Sequence, residues 1–393
     1  MFSTPAKSRS WTQWFDDQLY ELVGGEEGCF RRSPQQQESP FDQNRGSPLV
    51  LTSRGLEKHK DNNDDDNSRL SGTNQASFPE PEKSQTWLAW VAGESYEDAW
   101  KAIIRPFRDV YREDQLGPSK FSMRGHKCRR IDVTLTSVEG HPLRCSHFVP
   151  ANEPGTPSPC VVYLHGNSSS RLEAHDCVKV CLQRDIGVFC FDFAGSGLSG
   201  GEYITLGANE SQDLLNVIDY LRKSRRVSSI ALWGRSMGAT TAVLAASADH
   251  SVAAVVADSP FGNLRQVIEE LLTSRMSVPM FILNLAIENV LSEVQKRTGI
   301  DMNRIKPIEV APLAACPVLF GACLEDDLVQ CHHSQDLYTV WGHTDRDIRR
   351  FEHCDHNDPR PGWWLREVGE FLETHLTSTV KQQIPQTTPN LVV

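Results

Sequence analysis

Six short runs, most of them unbroken apolar, constrain this chain more than any other feature of its 393 residues. They are CVVYLHG from Cys160, VFCFDF from Val188, IALWG from Ile230, VAAVVAD from Val252, PVLFGA from Pro317 and IRRFEH from Ile348. A strand that reads apolar at every position has no face to offer water, so it belongs inside a parallel sheet covered on both sides. Helical stripes fill the intervals, as with Leu214, Val217, Ile218 and Leu221. Strand–helix alternation of this kind predicts an α/β fold with a mostly parallel sheet flanked by helices. Upstream, IDVTLTS from Ile131 and PLRCSHFV from Pro142 meet across Glu139–Gly140 and read as a hairpin, giving eight candidate strands. Tyr96, Trp100, Ile103 and Ile104 predict a lead-in helix that Pro106 ends.

The first 85 residues read differently. From about Gly24 to Gln85 the chain is rich in Ser, Gln, Asn, Pro and charge, which buries too little apolar surface to offset ordering entropy, so disorder is expected. DNNDDDNSR from Asp61 resembles a calcium loop only superficially, because Asp66 and Gly72 stand where such a loop needs Gly and Glu. Near residues 10–23, Trp11, Trp14, Phe15, Leu19, Leu22 and Val23 share one helical face between Ser10 and Gly24–Gly25. Its polar side carries Asp16, Asp17 and Glu21, which anionic lipid would repel. Docking onto its own domain or a protein partner is therefore favoured over peripheral membrane contact.

A formal net charge of −11 offers no basic field for nucleic acid. No apolar run approaches the ~18 residues of a membrane span, and the N-terminus lacks a secretory apolar core. Eleven cysteines in no framework spacing point to a reducing compartment, the cytoplasm by default.

The chemistry centres on IALWGRSMGAT. Gly234-Arg235-Ser236-Met237-Gly238 lies between an apolar strand and an Ala-rich helical run, the context of a nucleophile elbow. The positions two before and two after Ser236 crowd together in such a turn, so both must be small. The turn lifts the hydroxyl over the sheet and aims a helix N-terminus at it, where N–H groups favour developing negative charge. A serine nucleophile needs a base, and the base needs an orienting acid, in the chain order Ser, acid, His. CLEDDLVQ after Pro317–Ala322 offers Glu325, Asp326 and Asp327; Asp326 is preferred, Asp327 is its rival, and Asp258 is a weaker candidate. Of the two histidines in IRRFEHCDHNDPRP, His356 is preferred to His353 because it lies in a polar loop before a helix. The oxyanion hole needs two backbone donors. Met237 supplies one, and Asn167, after His165-Gly166, supplies the other, with His165 organising that loop.

Together HGNSSSR (His165), FDFAGSGLSGG (Phe191), GRSMGA (Gly234), ADSPFGNL (Ala257), the acid loop and CDHNDPRP (Cys354) resemble the α/β-hydrolase superfamily. The likeness runs from about Ile103 to Thr374 and is narrower for the eukaryotic serine-aminopeptidase-like branch related to depalmitoylating hydrolases. It implies an eight-stranded sheet and a Ser-Asp-His triad, with Asp326 and His356 aligned to the family's acid and His motifs. The resulting organisation is an extension at 1–85, a hydrolase domain at 86–375 and a flexible tail at 376–393. Apolar patterns through Val267, Leu271 and Leu272 and through Phe281, Ile282, Leu285 and Ile287 mark a helical insert near 261–312. That insert is either a cap lining an acyl pocket or ordinary core.

Gly195, Gly197 and Gly200 spell GxGxxG, yet they follow a middle strand and no helix opens at once, so no dinucleotide is expected. CHHSQ with His343, His353, Cys354 and His356 is His/Cys-rich but lacks CxxC or HxxxH pairing, so no metal is expected either. Cys177 and Cys181 read as buried small hydrophobes. The expected activity is a serine hydrolase on a small-molecule or lipid acyl ester or thioester, needing no cofactor. A catalytically idle interaction module and a serine aminopeptidase are the rival readings.

Overall fold

The computed structural model describes residues 96–150 and 156–382; the expected N-terminal helix and linker lie outside them. Nine strands form one sheet: β1 (Lys120–Met123), β2 (His126–Thr136), β3 (Pro142–Pro150), β4 (Ser158–Leu164), β5 (Gly187–Phe191), β6 (Val227–Arg235), β7 (Ala254–Asp258), β8 (Val318–Cys323) and β9 (Arg346–Phe351). Their order is β1-β2-β3-β5-β4-β6-β7-β8-β9, antiparallel as far as the β3–β5 pair and parallel from β5 onward. The helices are α1 (Tyr96–Ile104), α2 (His175–Leu182), α3 (Ala208–Lys223), α4 (Met237–Ala248), α5 (Leu264–Arg275), α6 (Met280–Thr298), α7 (Pro307–Val310), α8 (Cys331–Val340) and α9 (Gly362–Gln382).

All eight expected strands are present. The ninth, β1, is a correction. Its residues alternate between exposed and half-buried at the sheet edge, so no apolar run announced it. It pairs with β2 through a two-residue turn, Arg124-Gly125, with both residues at positive φ, the geometry that matches hairpin twist.

Every residue of β5, β7 and β8 is buried. Their side chains alternate between two cores, as the two-residue period of a strand requires. Cys160, Val162 and Leu164 of β4 join one core with Ile230 and Leu232 of β6, Val255 and Ala257 of β7, and the stripes of α3, α4 and α6. Val161, Tyr163, Ala231, Trp233, Ala254 and Val256 join the other, covered by α2 and α9. Trp364, Val368, Leu372 and Leu376 are fully buried along α9. The helix itself runs on to Gln382, past the expected boundary at 375. The hydroxyl of Ser229 also donates to the Leu376 carbonyl at 3.1 Å.

Between β7 and β8, α5 and α6 occupy the segment 261–312. Val267, Leu271 and Leu272 are buried, but the second stripe is not one face. Phe281 and Leu285 are exposed, and α6 buries Leu283, Ala286, Ile287, Val290, Leu291 and Val294 instead. That face takes α1: the Arg297 guanidinium lies 3.7 Å over the Trp100 ring, and the Tyr96 hydroxyl donates to the Asn289 carbonyl at 3.0 Å. No helix among the described residues is long and apolar enough to cross a membrane.

One buried carboxyl makes stability depend on pH. Asp213 on α3 is 1% exposed; its Oδ1 accepts the Val138 N–H at 2.7 Å, and its Oδ2 has no partner among the described residues. Burial pushes its carboxyl up to about 7, against the pull of the Val138 N–H, with Glu210 and Glu139 adding to the rise. The unfolded chain ionises this group near pH 4, so the folded state binds more protons between about pH 4 and pH 7, and stability is lost across that window as pH rises. Asp213→Asn keeps the acceptor and removes the titration. It should gain roughly 2–4 kcal/mol over the wild type at pH 8 and little at pH 4. Urea unfolding at the two pH values checks this; parallel pH profiles for the two proteins would contradict it.

Candidate active site

The site begins with two glycines. A Cβ on Gly234 would sit 2.2 Å from the Gly238 carbonyl oxygen, and one on Gly238 would sit 2.1 Å from that of Leu164. Those contacts let β6 turn into α4 hard against β4, and the residue at the apex bears the strain. Ser236 has φ 52° and ψ −120°, a region that side-chain-bearing residues seldom adopt. Its N–H donates to the Asp258 carbonyl at 2.8 Å, which ties the elbow to the end of β7. Met237 is the first residue of α4, so its N–H has no intrahelical acceptor.

The loop after β4 passes over this turn, and a Cβ on Gly166 would lie 3.8 Å from Ser236 Cβ. Glu173 holds the loop, accepting the Gly166 N–H at 3.2 Å and the Tyr163 hydroxyl at 2.9 Å. The hydroxyl of Ser170 donates to Asp109 at 2.6 Å. Fully buried His165 accepts the Phe193 N–H on Nε2 at 3.1 Å and donates from Nδ1 to the Gly166 carbonyl at 2.8 Å. Both nitrogens are occupied in the neutral ring, so His165 joins the loops after β4 and β5. Among the described residues, no protein acceptor takes the N–H of Asn167 or of Met237.

The loop after β8 presents Asp326, whose Oδ1 accepts the N–H groups of Leu328 at 3.0 Å and Val329 at 2.7 Å. Its Oδ2 accepts His356 Nδ1–H at 2.6 Å, and His356 Nε2 lies 2.8 Å from Ser236 Oγ. The Asp326 and His356 side chains are 1% and 4% exposed, so this relay is shielded from bulk water. The rivals are elsewhere. Asp327 meets Arg275 at 3.3 Å on the surface. His353 is exposed and pairs with Glu325 at 3.2 Å. Asp258 faces Arg360, with Nε 3.0 and 2.8 Å from its two oxygens.

Sequence reasoning did not find the supports. Arg235 donates to the carbonyls of His356 at 2.8 Å and Asp358 at 3.1 Å, and Arg360 reaches the same loop. Neither belongs to a spacing rule, since the contacts join residues more than a hundred positions apart or bridge one irregular loop. Asp192 is another. Wholly buried, it accepts from Tyr111 at 2.7 Å, the Arg171 N–H at 2.7 Å and the Leu198 N–H at 2.9 Å. The glycine loop winds around it. A Cβ on Gly197, at φ 47°, would strike the Asp192 carboxyl at 2.5 Å, and Arg108 donates to the carbonyls of Ser196, Gly197, Ser199 and Gly201. GxGxxG here wraps a carboxylate and an arginine of the protein itself.

Glu270, His332 and His333 form a cluster whose ligand atoms lie within 4.8 Å of one another. His333 Nδ1 accepts the Gly262 N–H at 3.4 Å, which leaves Nε2 protonated and donating to Glu270 at 3.2 Å. A metal on that Nε2 would require a proton on Nδ1, facing the Gly262 N–H, so these contacts suit a hydrogen-bonded cluster. Cys177 and Cys181 are buried with their sulfurs 3.8 Å apart on α2.

A family model described as serine aminopeptidase, S33, matches residues 155–302, which include Ser236 but neither Asp326 nor His356. An uncharacterized protein of Bacillus subtilis is 28% identical over 207 residues, covering 52% of this chain and 66% of the relative. A lysophosphatidylserine lipase of Gallus gallus is 29% identical over 118 residues, covering 28% of this chain and 30% of the relative. The chain thus spans less than two thirds of the length of these curated relatives. An esterase of Pyrococcus furiosus superposes with a TM-score of 0.53 at 23% identity, over 68% of this chain and 98% of that one. The fold is the α/β-hydrolase fold.

The elbow yields a direct test. Gly238→Ala forces a methyl group into the Leu164 carbonyl, so it should cost at least about 2 kcal/mol, as overpacking of a close contact does. Urea unfolding measures this, and a midpoint equal to the wild type would contradict the close approach.

Proposed function

We propose that this chain is a serine hydrolase that cleaves an acyl ester, thioester or lipid ester. The observation that carries the reading is the continuous relay from Asp326 through His356 to Ser236, beside the first residue of α4 and the loop after β4, whose Met237 and Asn167 N–H groups have no acceptor among the described residues. Asp326 holds the imidazole with its proton on Nδ1, which leaves Nε2 as the base toward Ser236 Oγ. Oγ attacks the substrate carbonyl as Nε2 takes its proton, and the N–H groups of Asn167 and Met237 receive the oxyanion. His356 then returns the proton to the leaving alcohol or thiol, leaving Ser236 acylated. Water, deprotonated by the same nitrogen, attacks the acyl-enzyme; the acyl–Oγ bond breaks, Nε2 returns its proton to Ser236 Oγ, and the acid is released.

Ester chemistry is supported by the names of relatives, a lysophosphatidylserine lipase and an esterase. A thioester substrate would bring the chain near the depalmitoylating branch suggested by its motifs. The description of the matched family model, serine aminopeptidase, favours a second reading, in which the leaving group is an amine.

The test is labelling by a fluorophosphonate, together with turnover of acyl p-nitrophenyl esters, an acyl thioester and an aminoacyl anilide. Wild type should label, and Ser236→Ala should not. Ser236→Ala and His356→Ala should lose roughly 10⁴-fold or more in kcat, and Asp326→Asn about 10⁴-fold. Asp327→Ala and His353→Ala should stay within about twofold, since both sit on the surface away from the relay. A wild type that takes no label at neutral pH refutes the proposal, and turnover of the anilide alone favours the aminopeptidase.

A further inference from the structure

The loop that carries His356 has no regular hydrogen-bond ladder of its own. It runs from Phe351, the end of β9, to Gly362, the start of α9, with His353 at φ 53°. Carbonyls in such a loop need donors. Two guanidinium groups provide them. Arg360 donates from Nη2 to the His356 carbonyl at 3.2 Å and from Nη1 to the carbonyls of Asp358 at 3.0 Å and Asp355 at 3.3 Å. Arg235, the residue before Ser236, shares the carbonyls of His356 and Asp358. The peptide planes on both sides of the histidine are therefore fastened from inside.

Arg360 is in turn aimed by Asp258. Its Nε faces both carboxylate oxygens, and the two side chains are 5% and 4% exposed. Burial alone would raise the Asp258 carboxyl, but the Arg360 guanidinium and its hydrogen bonds, with smaller contributions from Arg235 and His356, hold it below the usual carboxylate range. Burial works against the charge on Arg360 too, and Asp258 more than restores it. The same Asp258 accepts the Ser236 N–H on its backbone carbonyl. One residue at the end of β7 thus fixes the serine through its main chain and the histidine through its side chain and Arg360.

We propose that Arg360, oriented by Asp258, is a positioning residue that sets the place of His356 between Asp326 and Ser236. The proposal rests on the hydrolase reading for its catalytic consequence, though not for its geometry. Only a planar fork with several donors can span a carboxylate and three carbonyls at once, so a lysine would not replace it. A misplacement of the base by about 1 Å is enough to cost about 10²-fold in rate.

Arg360→Met alone leaves Asp258 buried without its counter-charge and can unfold the protein, so the informative variant is Asp258→Asn with Arg360→Met, which removes both charges together. This double variant should keep a cooperative unfolding transition near that of the wild type and a KM within about twofold, while kcat falls about 10²-fold. Arg360→Lys should fall nearly as far. A readout independent of substrate is the far-downfield proton resonance of the Asp326–His356 hydrogen bond, which should broaden or vanish in the double variant and persist in Ser236→Ala. A folded double variant with kcat within threefold of wild type and an unchanged resonance overturns the proposal, as does absence of that resonance from the wild type. If the wild type takes no fluorophosphonate yet its resonance is lost in the double variant, the hydrolase reading fails and the positioning role stands.

Discussion

The close approach of three backbones beneath Ser236 is the constraint on which the rest of the site depends. Gly234 lies against Gly238, and Gly238 lies against the Leu164 carbonyl, each at a distance that excludes a methyl group. Only that contact lets β6 end in so sharp a turn while remaining paired to β4 and β7. From it follow the positive φ of Ser236, the free N–H at the start of α4, and the nearness of the Gly166 loop. Strain at one residue is tolerated because the buried sheet on either side over-determines it.

Around that turn, carboxylates are buried with hydrogen-bonding partners. Asp192 is surrounded by Tyr111, Arg171 and backbone donors, Asp258 by Arg360, and Asp326 by two N–H groups and His356. Removing such a partner strands the carboxylate in a medium that solvates it poorly, so each cluster is costly to break. Each also joins loops that follow different strands. The glycine loop after β5 and the loop of His165 and Gly166 after β4 meet through Asp192 and His165, and the loops of Ser236 and His356 meet through Asp258 and Arg360. The parallel sheet sets the loops side by side, and these buried polar contacts fix their register with one another.

How much of this was legible in the sequence follows the range of the interactions. The strands at Cys160, Val188, Ile230, Val252 and Pro317 announced themselves because burial on both faces writes an apolar residue at every step. Edge strand Lys120–Met123 did not, since a half-exposed strand carries no such run. Ser236 was legible because the elbow demands small residues at fixed spacing, and the preferred His356 and Asp326 lie together with it in space. The roles of Asp258 and Arg360 were not legible, because a carboxylate after a strand reads equally as a triad acid or as an arginine's partner. Phe281 and Leu285 misled for a related reason: an apolar stripe says that a face is apolar, and α6 covers a different one.

The central claim is that Ser236 attacks a carbonyl whose oxygen is received by the N–H groups of Asn167 and Met237. A crystal structure of the protein after reaction with a fluorophosphonate tests it most directly. Phosphorus should be bonded to Ser236 Oγ, with one phosphonyl oxygen within hydrogen-bond distance of both N–H groups and His356 Nε2 near the ester oxygen. Phosphorus on another residue, or a phosphonyl oxygen turned away from both donors, would contradict it.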